Sequence, residues 1–283
     1  MRKYELTEET KTLADGTVLH RIRALLDIQR HGVKAGDLGG LIEKENNLSQ
    51  DGNAWVSGYA EVYGDAEVSG NAWVSGYAEV CGNAKVRGNA EVYGDSEVCG
   101  NAEVRGNAEV YGDSEVCGNA EVSGKAKVSG KAKVSGNAEV SGDAKVYGNA
   151  KVYGDAEVSG NALVCGNAEV SGKAKVSGNA LVCGNAEVSG KAKVSGNADV
   201  SGNAKVRGDD DYMVVKNIWS SGRWFTYTRS NKKWAVGCFY GTGEELIKNA
   251  YKDSELSGRC YEAIVRAVET IEAAKAEAIG GEE

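Results

Sequence analysis

Residues 52–207 repeat one pattern of six positions, Gly-(Asn/Asp/Lys/Tyr)-Ala-x-Val-x, 26 times without an insertion, Ser standing for Ala at 96 and 114. The small and the aliphatic residue stand two apart, as Ala54 and Val56 or Ala60 and Val62 do, so both point to one side of an extended segment. Gly then breaks the strand. A strand of about four residues cannot bury Val within its own unit, so each copy must stack on other copies. The pattern predicts a parallel β-solenoid with a narrow Ala/Val core and with Gly at the bends, where a Cβ would crowd the turn.

A longer period sets the number of units in a coil. GNAWVSGYAEVYGDAEVS at 52–69 is followed by GNAWVSGYAEVCGNAKVR at 70–87, and segments 160–177 and 178–195 are both GNALVCGNAEVSGKAKVS. Similarity at 18 residues means three units per coil, hence a triangular prism. At a strand spacing of roughly 4.8 Å, the 26 units make a rod on the order of 42 Å long.

Both flanks depart from the pattern and read as end structures. Residues 1–51 hold two candidate strands, 3–7 and 17–28, around a turn at Ala14-Asp15-Gly16-Thr17. Val18, Ile22, Ala24 and Ile28 are expected on one face of the second strand, above an irregular first coil built from Leu38, Leu41, Ile42 and Leu48. A solenoid needs such a cap, because its first coil otherwise shows unpaired amides and carbonyls and an open core. After Gly208-Asp209-Asp210-Asp211 the composition shifts, and residues 208–283 hold 10 of the chain's 20 aromatics. Candidate strands there are 212–219, 223–229 and 234–240, and Thr242-Gly243-Glu244-Glu245 is a capping-box start for a short helix. A longer helix is expected from about Ser257, with Tyr261, Ile264, Val265, Val268 and Ile271 at helical spacing. The expected organisation is a hairpin cap (1–51), a β-helix (52–207) and a small α+β module (208–283).

The small-x-aliphatic hexapeptide at three units per coil resembles the hexapeptide-repeat left-handed parallel β-helix superfamily, over just more than half of the chain. Residues 33–56, VKAGDLGGLIEKENNLSQDGNAWV, resemble the entry segment of uncharacterised bacterial and phage hexapeptide-repeat proteins of the YdcK type. The resemblance implies a left-handed coil, whereas the general preference for right-handed crossovers implies the opposite hand. Many members of that superfamily are acyltransferases, in which a histidine acts as general base beside a loop that interrupts the coils and helps to hold the acyl donor. Residues 52–207 contain no histidine and no interrupting loop. His20 and His31 fall in the hairpin and the linker behind it and read as cap or surface residues. No catalytic, cofactor-binding or metal-binding residue is expected.

The net charge of −8 divides as −1 in residues 1–51, −4 in 52–207 and −3 in 208–283, so no segment carries the basic excess of a nucleic-acid footprint. The segment MRKYELTEET has no apolar run and no stretch approaches 18 apolar residues, so neither a signal peptide nor a membrane span is expected, and a cytoplasmic location is. Residues 58–123 carry 12 acidic against 3 basic side chains, or −9, while residues 124–207 carry 12 basic against 7 acidic, or +5. Glu61, Glu79, Glu97 and Glu115 should stack on one face and Glu103, Glu121, Glu139 and Glu157 on another, solvated and screened. Cys81, Cys99 and Cys117 form one ladder at 18-residue spacing, and Cys165 and Cys183 a second on a different face. A Cα separation of about 4.8 Å permits a disulfide. Parallel side chains and a cytosolic setting favour free thiols instead, as small surface residues interchangeable with Ser.

Large apolar side chains in outward positions occur in few units. Trp55 and Trp73 share a column, with Tyr59 and Tyr77 around the adjacent corner and Leu163 and Leu181 farther along the Trp column. They mark either places where the end structures fold back or partner and oligomer interfaces. The C-terminal module concentrates Trp219, Trp224, Phe225, Tyr227, Trp234, Phe239 and Tyr240. Alternation sends Trp224 to one face of its strand and Phe225 and Tyr227 to the other, and the face not packed on the helices is the candidate protein-binding surface. The expected function is a non-catalytic scaffold, a rigid rod presenting a C-terminal protein-binding module, phage or prophage encoded and acting on a host protein as the resemblance suggests. The alternatives are a self-assembling trimer or filament and a divergent acyltransferase.

Overall fold

Each repeat forms a short strand around its x-Val pair, and a computed structural model shows how these strands stack; it describes residues 1–280. Every strand pairs in parallel and in register with the one 18 residues on: Trp55 lies opposite Trp73, Glu61 opposite Glu79 and Glu103 opposite Glu121. The result is a parallel β-solenoid of about nine coils with three faces. Face one runs from Trp55–Val56 to Asp199–Val200, face two from Glu61–Val62 to Lys205–Val206, and face three from Glu67–Val68 to Lys193–Val194. The repeat Ala and Val residues are fully buried along the whole length, forming one column interrupted only by Ser96 and Ser114, whose buried hydroxyls donate to the Tyr93 and Tyr111 carbonyls. Both expected glutamate columns are present, relieved where a cation enters the next rung, as between Lys175 and Glu157 at 2.6 Å.

The corners explain the invariant spacing of Gly. Asn83, Asn101 and Asn119 each donate from the side-chain amide to the residue 18 positions on at 2.9 Å, so the bends carry amide ladders. At the corner between faces three and one Gly124 has φ +70°, and a Cβ there would stand 2.8 Å from the Gly142 carbonyl oxygen. Gly196, with φ +67°, has no such neighbour, because no coil follows at that corner. Gly124→Ala is therefore expected to cost about 3 kcal/mol, from left-handed strain plus overpacking, and Gly196→Ala only about 1 kcal/mol. Urea unfolding of both variants checks this, and equal losses would remove the stacking argument.

At the N-terminal end, β1 (Tyr4–Thr12) and β2 (Val18–Ala24) form the expected hairpin, and β3 (Leu38–Ile42) pairs antiparallel with β2 and parallel with Glu61–Val62. Face two thus continues unbroken into the cap. The buried side of β2 differs from simple alternation: Leu19, Ile22 and Ala24 are buried, while Val18 is exposed. Alternation fails between Leu19 and Ile22, the stretch along which β1 and β3 both shift register against β2, each carrying the extra residues. Ile28, Ile42 and Leu48 close the core, Leu41 is buried on the outer side beside Glu61, and Leu38 is exposed.

The C-terminal module is a four-stranded antiparallel sheet, Tyr212–Lys216, Trp224–Thr228, Lys233–Val236 and Phe239–Gly241, followed by helices α1 (Gly243–Asp253) and α2 (Glu255–Gly280). The expected strand 234–240 is two strands, broken at Gly237 with φ +57°. At the start of α1, the Thr242 hydroxyl accepts from the Glu245 amide and the Glu245 carboxylate accepts from the Thr242 amide, which is the capping box read from the sequence.

Candidate functional site

The last coil of a solenoid presents three strand edges with unpaired amides, and residues 208–230 meet each of them. On face three, Lys193 N donates to Asp209 Oδ1 at 2.8 Å, and the Tyr212 hydroxyl donates to the Lys193 carbonyl at 2.6 Å. On face one, Asp199 N donates to Thr226 Oγ1 at 2.8 Å. On face two, Lys205 N donates to Ser230 Oγ at 2.7 Å. Tyr212 and Val214 pack on the end of the Ala/Val column. The sheet is thus a lid: Thr226 and Thr228 are buried, and their face looks toward the rod.

This arrangement corrects the expected binding face. The side of the sheet away from the helices is occupied by the rod itself, because the open core end requires cover. On the helix side Phe225, Tyr227 and Trp234 are buried, with the Phe225 ring 4.6 Å from Tyr261 and 6.2 Å from Trp234, and Phe239 is half-buried against the same cluster. Tyr240 is spent on docking, since its hydroxyl donates to the Ser201 carbonyl at 3.0 Å. Trp219 and Trp224 remain accessible, 63% and 40% exposed, together with Ile218 at 70%. The Lys216 ammonium lies 5.5 Å from the Trp224 ring centre. Ile218 was not singled out from sequence, because 212–219 reads as one strand; the Asn217 side chain instead accepts from the Trp219 and Ser220 amides and ends the strand in a turn.

At the other end, the hairpin cap folds over the tryptophan column. Trp55 is buried, edge-on to Tyr4 at 6.5 Å, and Trp73 stacks on His31 at 5.6 Å while its indole N–H donates to Ser57 Oγ. Tyr59 and Tyr77 stay open, stacked at 5.2 Å beside a shallow groove whose cations, Lys11 and Arg21, are paired with Glu61 and Glu9. His20 contributes only a long contact from Nδ1 to the Thr7 carbonyl, 3.4 Å. His31 has its Nε2 buried without a partner, and burial, with Arg30 nearby, lowers its pKa.

Lys3 escaped the sequence reading altogether, since one cation at a strand start gives no pattern. Its buried ammonium donates to the Ala54 carbonyl at 2.8 Å, occupying the free edge of face one, and burial pushes its pKa down to about 8 from 10.5. Between those values the unfolded chain holds a proton that the folded chain has released, so stability rises with pH across that window. Tyr4, raised mainly by burial, reverses the gain above about pH 10, where an unfolded tyrosine ionises. The melting temperature of the native chain relative to Lys3→Met is expected to rise from pH 7.5 to 9.5, the comparison cancelling the loss that Cys81, Cys99 and Cys117 impose on both proteins as their unfolded thiols ionise. A difference that stayed constant over that span would assign the pH dependence to other groups.

The second cysteine ladder departs from the free-thiol expectation: Cys165 and Cys183 are joined in a disulfide, with Cα atoms 4.8 Å apart. Coil spacing alone brings the pair within bonding range. Leu163 and Leu181 stand opposite one another beside this bridge, partly exposed on face one. Cys81, Cys99 and Cys117 are half-buried thiols. Among the described residues there is no group of three or more His, Cys, Asp or Glu side chains placed to hold a metal, and no helix is long and apolar enough to cross a membrane. No protein-family model and no curated protein matches the chain.

Proposed function

We propose that the protein is a non-catalytic, rod-shaped scaffold that contacts a protein partner through the turn carrying Ile218 and Trp219, with Trp224 beside it. The carrying observation is the distribution of exposed apolar surface. The three faces present mainly repeated polar side chains, whereas Ile218 and Trp219 project from a turn on a sheet held rigid by the rod on one side and by the helices on the other. Rigidly presented aromatics dominate interface energetics. Kinship with left-handed hexapeptide-repeat proteins, a cytoplasmic setting and a phage-type role against a host protein belong to this reading and rest on the repeat and entry-segment resemblance.

The test compares three full-length proteins as bait in host extract: the native chain, Ile218→Ser/Trp219→Ser, and a chain lacking residues 178–195. That deletion removes one of two identical segments and so leaves both junctions unchanged. A partner identified by mass spectrometry and re-bound in purified form should lose at least tenfold in affinity with the double variant and little with the deletion. The reverse pattern would move recognition to the faces of the rod.

A further inference from the structure

Cys81, Cys99 and Cys117 follow Val80, Val98 and Val116 on face two, in strands paired in register, so the three thiols stand one above another along the rod. Cys99 is the side-chain neighbour of both others. On face one the same repeat position, one coil apart, holds the Cys165–Cys183 disulfide with Cα atoms 4.8 Å apart. One coil step therefore suits the bond without backbone movement. Cys81 and Cys117 are two steps apart, on the order of 10 Å, which a disulfide does not span. The column thus contains an odd number of thiols and a single shared member.

We propose that Cys99 is a redox modification site that bonds to either Cys81 or Cys117, and that the disulfide passes between these two partners by exchange along the column. In the first step two neighbouring thiols give two electrons and two protons to a low-molecular-weight disulfide such as oxidised glutathione, which leaves as two thiols. In the second, the Cys117 thiolate attacks Cys99 Sγ; the Cys99–Cys117 bond forms as the Cys81–Cys99 bond breaks, and Cys81 takes up the proton that Cys117 released. Attack on a disulfide sulfur proceeds with the entering, central and leaving sulfurs close to one line, and a vertical ladder sets them on such a line. The exchange moves a covalent staple by one coil while the third thiol stays reduced. Burial, with Glu97 and Glu115 alongside, holds the Cys99 and Cys117 thiols above their ordinary value, so the reaction belongs in mildly alkaline buffer.

The full chain is incubated with oxidised glutathione, alkylated, cut with trypsin without reduction and mapped by mass spectrometry. Lys85, Arg87 and Arg105 lie between the three cysteines, so each falls in its own peptide. Both linkages, Cys81–Cys99 and Cys99–Cys117, are expected in one sample, with the alkylated thiol on Cys117 or Cys81 and none on Cys99. Cys81→Ser and Cys117→Ser should each convert fully to the one linkage left, and Cys99→Ser should leave two free thiols. Ser already occupies this position in other units, such as Ser57 and Ser135, so the variants keep the fold. A Cys81–Cys117 linkage, an alkylated Cys99, stable glutathione adducts or three free thiols would overturn the shared site. A single linkage in the native chain would overturn the exchange.

Discussion

Val104→Asp is expected to unfold the coils around it. Val104 is fully buried on face three, stacked between Val86 and Val122 in a core of Ala and Val whose nearest polar groups, the Ser96 and Ser114 hydroxyls, already donate to the Tyr93 and Tyr111 carbonyls. A carboxylate placed there has no hydrogen-bond partner, and even its neutral form loses its water contacts, a penalty of roughly 4–7 kcal/mol. Because each coil is stabilised mainly by its two neighbours, the loss is local at first and spreads outward from the damaged coil. Glu103 is the informative control, one residue away in sequence but pointing to solvent, where it pairs with Arg87 and Arg105. Glu103→Gln should cost at most about 1 kcal/mol, since exposed ion pairs contribute little. Circular dichroism and urea unfolding distinguish the two. If Val104→Asp melted like the native chain, the apolar column would be wrong.

Ending the chain at Arg207 is expected to turn a well-behaved rod into one that associates end to end. The cut removes the partners of the Lys193, Asp199 and Lys205 amides at once and uncovers Val194, Val200 and Val206 at the core end. An open strand edge is a template for another chain, and here three edges and an apolar patch coincide. Light scattering after size exclusion should show masses above that of the full chain at micromolar concentration, with a lower melting temperature. Thr226→Val combined with Ser230→Ala gives a graded version that retains the cover and loses two hydrogen bonds, about 1–2 kcal/mol each. A truncated rod that kept the oligomeric state and the melting temperature of the full chain would show that the module is not needed to close the rod. This dependence is also why recognition is tested with Ile218→Ser/Trp219→Ser instead of truncation.

The contacts that hold the module together are thus separate from the turn proposed for recognition. Seven aromatics between Trp219 and Tyr240 invite a binding reading, yet Phe225, Tyr227 and Trp234 hold the sheet to the helices and Tyr240 holds it to the rod. The Arg229 guanidinium bonds to Glu272 at 2.9 Å and ties α2 to the second strand of the sheet. The exposed turn can be varied without touching any of these contacts.

The repeat by itself determined the solenoid. Gly every six residues, Ala and Val two apart and similarity at 18 residues specify local bends, a one-sided apolar strand and a three-unit coil, and each of these is a short-range property that repetition makes unambiguous. The same arithmetic placed the glutamate columns, the shared column of Trp55, Trp73, Leu163 and Leu181, and the cysteine ladders. The ends were less legible, because each occurs once and its contacts are long-range. The broken alternation of β2 that buries Leu19 and exposes Val18, the break at Gly237 and the hydrogen bond of Lys3 to Ala54 leave no periodic trace. Only the tertiary structure decided which surface is free. The tryptophan column is roofed by Tyr4 and His31, and the sheet face expected to bind a partner closes the rod through Thr226, because unpaired edges and an open apolar core demand cover before any side chain is left for a partner.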